Sequence, residues 1–156
     1  MLVNPNDVWA ASMPLLPAAM DSVRAKASVF AFGLQESEFL HRRQMENGPA
    51  RGFWQFERGG GTHGVLTHPG TAQIAKAVCS QRNVAPNALD VWTAFETDDI
   101  LACCFARLLL YTAPWALPGP GEHEEALRQY EWCWRPGEPH PEKFPGNYAK
   151  AWELVG

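Results

Sequence analysis

Asp21 to Phe39 reads DSVRAKASVFAFGLQESEF, nineteen residues without a proline, and this stretch decides the fold class. Val23, Ala27, Phe30 and Leu34 recur at steps of four, three and four. Ala25, Val29, Phe32 and Glu36 form a second stripe beside them. Steps of three and four mark one face of a helix, and a helix apolar along two stripes is largely buried. Asp21 or Ser22 stands where a side-chain oxygen accepts from the free N–H groups of the first turn. The second stripe ends on Glu36, so the same pattern that buries this helix delivers one carboxylate to its far end.

Working outward, the strongest second helix spans Thr97 to Thr112, with Thr97 as cap and Asp98 and Asp99 beside the positive end of the dipole. Ile100, Leu101, Cys103, Cys104, Phe105, Leu108 and Leu109 make it apolar nearly all round, which predicts the central core helix. Further helices are expected around Asp7–Ala11, Thr71–Arg82, Asn87–Phe95, Glu122–Trp134 and Asn147–Leu154. Arg135 to Gly146 holds four prolines and two glycines and reads as irregular. Between Asn47 and Gly64 lie six glycines around Phe53-Trp54-Gln55-Phe56-Glu57, which reads as one strand of a small β-hairpin turned by Gly59, Gly60 and Gly61. The expected fold is mainly α, a helical domain with a small β-hairpin lining a cleft. It is one domain over residues 1–156, with 1–20 as an N-terminal extension and 21–156 as the core.

Composition narrows the function classes. Apolar residues make up 46% and charged residues 19% of 156, enough for a core and too apolar for a disordered chain. A formal charge of −4 supplies no basic field for nucleic acid. The richest apolar run, Ile100 to Tyr111, is interrupted by Arg107 and is too short to span a bilayer. Met1 to Asn6 lacks the basic and apolar segments of a secretory leader, so none is expected. Cys79, Cys103, Cys104 and Cys133 form no C-x-x-C pair and read as reduced core thiols. His63 and His68 flank Gly64 at a spacing that neither helix nor strand converts into a ligand pair, so no metal site is expected. Gly59-Gly60-Gly61 is followed by no Lys-Ser/Thr and no expected helix, which argues against a phosphate loop.

Glu36 is the candidate for chemistry. A carboxyl group at the end of an apolar row is partly desolvated, which disfavours its charged form and raises its pKa. An acid that stays protonated near neutral pH is what glycosidic cleavage requires, because the leaving oxygen must take a proton as the bond breaks. A helix-end glutamate whose head reaches water is the plain alternative.

The surrounding residues add a resemblance. Gln35-Glu36-Ser37-Glu38-Phe39, followed by Gly48-Pro49-Ala50-Arg51-Gly52-Phe53-Trp54-Gln55, resembles the Glu-Ser-x-Phe and Gly-Ala-x-Gly-Leu-Met-Gln motifs of soluble lytic transglycosylases and goose-type lysozymes. These belong to the lysozyme-like superfamily, which cleaves peptidoglycan glycan strands. Leu127 to Trp132 stands, more loosely, where that family has Ala-Tyr-Asn-Ala-Gly; only Tyr130 carries over, and Phe53-Trp54 replaces Leu-Met. The resemblance implies cleavage of the β-1,4 bond between N-acetylmuramic acid and N-acetylglucosamine, with Glu36 as general acid. It implies that Gln55 bonds a substrate acetamido or hydroxyl group and that Tyr130 sits near Glu36. Trp54 and Ser37 join them as substrate-binding candidates. Trp132 and Trp134 are further rings able to meet a sugar, and Arg42-Arg43 could meet its lactyl or peptide carboxylates.

The second carboxylate is open. Glu57 follows Gln55 by two residues and shares its face of an extended strand. Goose-type lysozymes have an aspartate at the corresponding point, where it positions the attacking water. A Glu36–Glu57 separation of about 6.5–9.5 Å would suit an inverting hydrolase. Glu38 and Glu46 are the rivals. With no second carboxylate, the substrate's own acetamido group and C6 hydroxyl would give a 1,6-anhydro product, as in lytic transglycosylases. This chemistry needs no metal or organic cofactor. For an enzyme of this kind, the lack of an expected leader and the single small domain suggest a bacteriophage protein, made in the bacterial host's cytoplasm and reaching the periplasmic cell wall through a holin or from the virion. Its acidic charge favours the virion, where other virion proteins would be partners. The competing class is a non-catalytic lysozyme-fold virion component or glycan-binding module. A related plant-type chitinase differs only in the second sugar.

Overall fold

The computed structural model describes all 156 residues and contains eight α-helices: α1 Pro5–Ser12, α2 Val23–Ser37, α3 His63–Thr67, α4 Ala72–Gln81, α5 Ala88–Ala94, α6 Asp99–Tyr111, α7 His123–Trp134 and α8 Phe144–Val155. α6 lies at the centre. Every residue from Leu101 to Leu110 is buried, and α1, α2, α3, α4 and α7 all pack against it. α2 runs along α8 and also meets α6, so Ala25 to Leu34 is buried on most sides, in keeping with its two apolar stripes. Ser22 caps α2 by accepting from the Ala25 N–H at 3.1 Å. Asp98, not Thr97, caps α6, accepting from the Leu101 N–H at 3.0 Å while also holding Arg82.

The first twenty residues fold back onto the core. Trp9, Met13, Leu16 and Met20 join a single cluster of 35 buried apolar residues, and α1 packs on α6 and α8. Arg107, the one charge in the apolar run of α6, explains part of this docking. Its guanidinium is buried and donates to the Met20 carbonyl at 2.7 Å. Trp9 Nε1 donates to Asp21 at 3.0 Å and closes the same joint.

No β-sheet forms, and the expected hairpin lining the cleft is absent. Residues 51–56 make a tight turn, with Arg51 and Phe56 exchanging both backbone hydrogen bonds at 2.9 Å and isolated bridges at Arg43–Arg51 and Arg51–Phe56. The aromatic residues account for the difference. An extended strand sends alternate side chains to opposite faces, so either Phe53 or the Trp54/Phe56 pair would face water. The turn, with Gly52 at φ 79° and Gln55 at φ 51°, buries all three rings at 2% exposure or less. Gly52 supplies the positive φ of this turn, and a Cβ there would also crowd Phe95 at 3.1 Å.

The glycine run does not turn a hairpin either. Arg58–Thr62 coils into a π-type turn that leads directly into α3, so a helix does start here. Gly61 lets this turn approach the core, since a Cβ on it would stand 2.7 Å from the Phe56 ring and 3.1 Å from Leu109. At the other end of the chain α8 begins at Phe144, earlier than Asn147, because Pro145 occupies the first turn, where a missing N–H costs nothing.

Candidate active site

Glu36 is the penultimate residue of α2, and beyond it the chain leaves the helix through Glu38 and Phe39, both at φ 55°. Its half-buried carboxyl faces a cleft of about 660 Å³. Burial pushes its pKa up to about 7. The hydrogen bond from Tyr130 works against this shift, and the nearby charge of Glu57 adds to it. Tyr130 comes from α7, and its hydroxyl donates to Glu36 Oε2 at 2.8 Å. The tyrosine ring is 1% exposed and held between Phe144 and Trp134, with interplanar angles of 26° and 24°. Burial, followed by the Glu36 charge, drives its own pKa well above the usual phenol value, so the hydroxyl is a fixed donor.

Three walls close around this acid. One is the 55–61 segment with Gln55, Phe56, Glu57 and Gly61; one is the loop around His41 to Ala50; the third is the segment from Trp134 to His140. Gln55 Nε2 donates to the Gly52 carbonyl at 2.9 Å, which leaves Oε1 without a protein donor. Glu57 is exposed and lines the cleft, whereas its rivals Glu38 and Glu46 do not. Gln55 and Glu57 therefore reach the same cleft, but through a turn and not through the shared face of a strand.

Two of the expected substrate-binding residues lie elsewhere. Trp54 is 1% exposed and its Nε1 donates to the Val29 carbonyl at 2.8 Å. A ring with no open face cannot stack on a sugar. Ser37 is also buried, and its hydroxyl is spent on the Phe53 carbonyl at 2.6 Å. It ties the 51–56 turn to the end of α2 and so fixes Gln55 relative to Glu36. The partly exposed indole in the cleft is Trp134. It stacks on Phe56 at 5.7 Å between centroids and donates to the Trp54 carbonyl at 2.9 Å. Arg42 and Arg43 do not reach the cleft. Arg42 makes a two-bond pair with Asp99, both at 2.9 Å, and Arg43 stands 3.6 Å from Glu96.

The residue before the acid has a role that its local sequence does not signal. Gln35 Nε2 donates to the carbonyls of Pro139 at 2.8 Å and His140 at 3.0 Å, and its Oε1 accepts from Asn147 Nδ2 at 2.7 Å. It fastens the third wall and α8 to the helix that carries Glu36. Only the proline-rich composition marks that wall in the sequence, and composition does not say which helix it will meet.

No cluster of three or more His, Cys, Asp or Glu side chains is placed to hold a metal ion. His68 Nδ1 accepts from the Gly70 N–H at 2.9 Å. The four cysteines are free and buried, and burial raises Cys79 to about 11 and Cys103 and Cys133 to about 12, which leaves no reactive thiolate among these three at neutral pH. No helix is long and apolar enough to cross a membrane. Comparison with family models, curated proteins and solved structures finds no match to this chain.

Proposed function

We propose that this protein is a lysozyme-like glycosidase that cleaves peptidoglycan glycan strands at the β-1,4 bond between N-acetylmuramic acid and N-acetylglucosamine. The observation that carries the reading is Glu36, a half-buried acid with a pKa near 7 on the wall of an open cleft, fixed by Tyr130. At neutral pH a large fraction of Glu36 is protonated, so it can deliver a proton to the glycosidic oxygen as the bond breaks. The carboxylate left behind keeps the Tyr130 hydrogen bond, which stabilises the charge that appears during the step.

Gln55 Oε1, free of protein donors, accepts the N–H of a substrate acetamido group, and Trp134 presents the apolar surface on which a sugar ring rests. Of Glu57, Glu38 and Glu46, Glu57 alone shares the cleft with Glu36, and it is the residue to activate water in a hydrolytic reaction. The resemblance carried by Glu36-Ser37 and by Gly52 and Gln55 points the same way.

The experiment is mass spectrometry of fragments released from purified sacculi by the wild-type protein and by Glu36→Gln. Reducing-end muropeptides lost in the variant support hydrolysis. Fragments lighter by one water, also lost, mean an anhydro-forming transglycosylase with Glu36 acting alone. Release of nothing from sacculi of several wall chemistries overturns the enzyme reading in favour of a non-catalytic module.

A further inference from the structure

The cleft carries three carboxyl groups, Glu36, Glu57 and Glu138, in a chain whose formal charge is −4. A polymer bearing its own carboxylates gains nothing from that field and needs a local cation to enter. Most arginines are already committed: Arg42 to Asp99, Arg43 and Arg51 to Glu96, Arg82 to Asp98 and Arg128 to Glu125. Arg107 is buried on the Met20 carbonyl and Arg24 reaches the Leu117 carbonyl. Arg58 is exposed but does not line the cleft. Arg135 differs. It lines the cleft, is exposed, and takes part in none of the ion pairs; its one hydrogen bond is from Nε to the Trp132 carbonyl at 3.4 Å, which leaves both terminal nitrogens free.

Its backbone adds an independent observation. Arg135 follows α7 in the left-handed region at φ 46°, ψ 53°. That position ordinarily goes to glycine, and a long side chain there is strained. The chain places its free guanidinium where glycine would be easier to accommodate. The other basic side chains of the cleft are the imidazoles of His41 and His140, and His140 already lies 3.8 and 3.6 Å from Glu138 and Glu142. A guanidinium keeps its charge at every pH at which a protein folds and grips a carboxylate with two parallel N–H groups.

We infer that Arg135 is the specificity residue that reads a substrate carboxylate, the lactyl or peptide acid of a muramic-acid unit, and so distinguishes an acidic glycan strand from a neutral one. This rests on the glycan reading of the cleft. The test uses the non-cleaving Glu36→Gln protein as parent and Arg135→Gly as the change, because glycine suits a left-handed backbone and the variant should melt no lower than the parent. Calorimetry measures binding of an alternating N-acetylglucosamine–N-acetylmuramic acid tetrasaccharide and of the neutral N-acetylglucosamine tetramer. The expected result is a loss on the order of tenfold for the acidic tetrasaccharide and none for the neutral one. Equal losses for both, or no loss for either, overturn the role of Arg135 and leave the glycan reading standing. If the parent binds neither glycan, the glycan reading fails and takes this role with it.

Discussion

Tyr130 donates its hydroxyl to Glu36 Oε2 at 2.8 Å across 94 residues of chain, so the acid of α2 is held in place by a side chain of α7. The bond stabilises the carboxylate, opposing the burial that raises Glu36 to about 7. Tyr130→Phe removes that opposition. The pKa of Glu36 is expected to climb further, by roughly one unit, since a hydrogen bond to a charged group contributes about that much. In a pH–rate profile the limb on which activity falls as Glu36 loses its proton should move to higher pH. An unmoved limb would mean that the group lost on that limb is not Glu36.

Glu36 should also leave a signature in stability. Its ordinary value is 4.5 and its folded value about 7, so between these pH values the unfolded chain has released a proton that the folded one retains. The unfolded state then binds fewer protons, and stability falls as pH rises through this window. The Glu36 contribution is intact below pH 4.5 and lost above pH 7. Glu36→Gln removes the titration, so denaturant melts should show the variant gaining on wild type from about pH 4 to about pH 8, by up to about 3 kcal/mol.

Gln35→Ala frees the Pro139 and His140 carbonyls and the Asn147 amide from their fastener. The Trp134–His140 wall should loosen while Glu36 keeps its own partners. KM is expected to rise roughly threefold to tenfold, on the scale of one hydrogen bond, with kcat and the pH profile nearly unchanged. A matching loss in Asn147→Ala, and little extra in the double variant, would place both residues on one joint.

Two neighbouring glycines should respond in opposite ways. Gly61→Ala pushes a methyl against Phe56 and Leu109, and a cost of about 1–3 kcal/mol is expected from overpacking. Gly59 has only open space where the methyl of an alanine would go, and no positive φ, so Gly59→Ala should be neutral or slightly stabilising. Thermal melts of the two variants decide it.

Trp54→Phe keeps a ring in the core but removes the indole N–H that bonds the Val29 carbonyl and leaves a gap where the larger ring was. A destabilisation of about 1–3 kcal/mol is expected, with KM for a glycan unchanged, because the indole does not face the cleft. A raised KM without lost stability would restore Trp54 as a sugar-stacking residue.

What the sequence determined by itself is the helical frame and the position of the acid. The i, i+3, i+4 spacing along Val23–Ser37 and Asp99–Tyr111 reports burial of a helix face whatever the helix packs against, and it carries Glu36 to the end of a buried row. Local patterning failed at residues 51–62, where aromatics and glycines suit a hairpin. There the competition lay between a strand, which sends Phe53 to one face and Trp54 and Phe56 to the other, and a turn that buries all three together, and burial won. The cleft's other parts were decided by tertiary structure alone. Ser37 and Trp54 became supports, Trp134 became the partly exposed ring, and Gln35 became a fastener, because each outcome depends on which carbonyl or ring a distant segment brings within hydrogen-bond or van der Waals reach. Arg135 is the sharpest case. It has no ion-pair partner, whereas Arg42, Arg43 and Arg51 pair with acids on α6 and just before it, and such pairings come into being only when the chain folds.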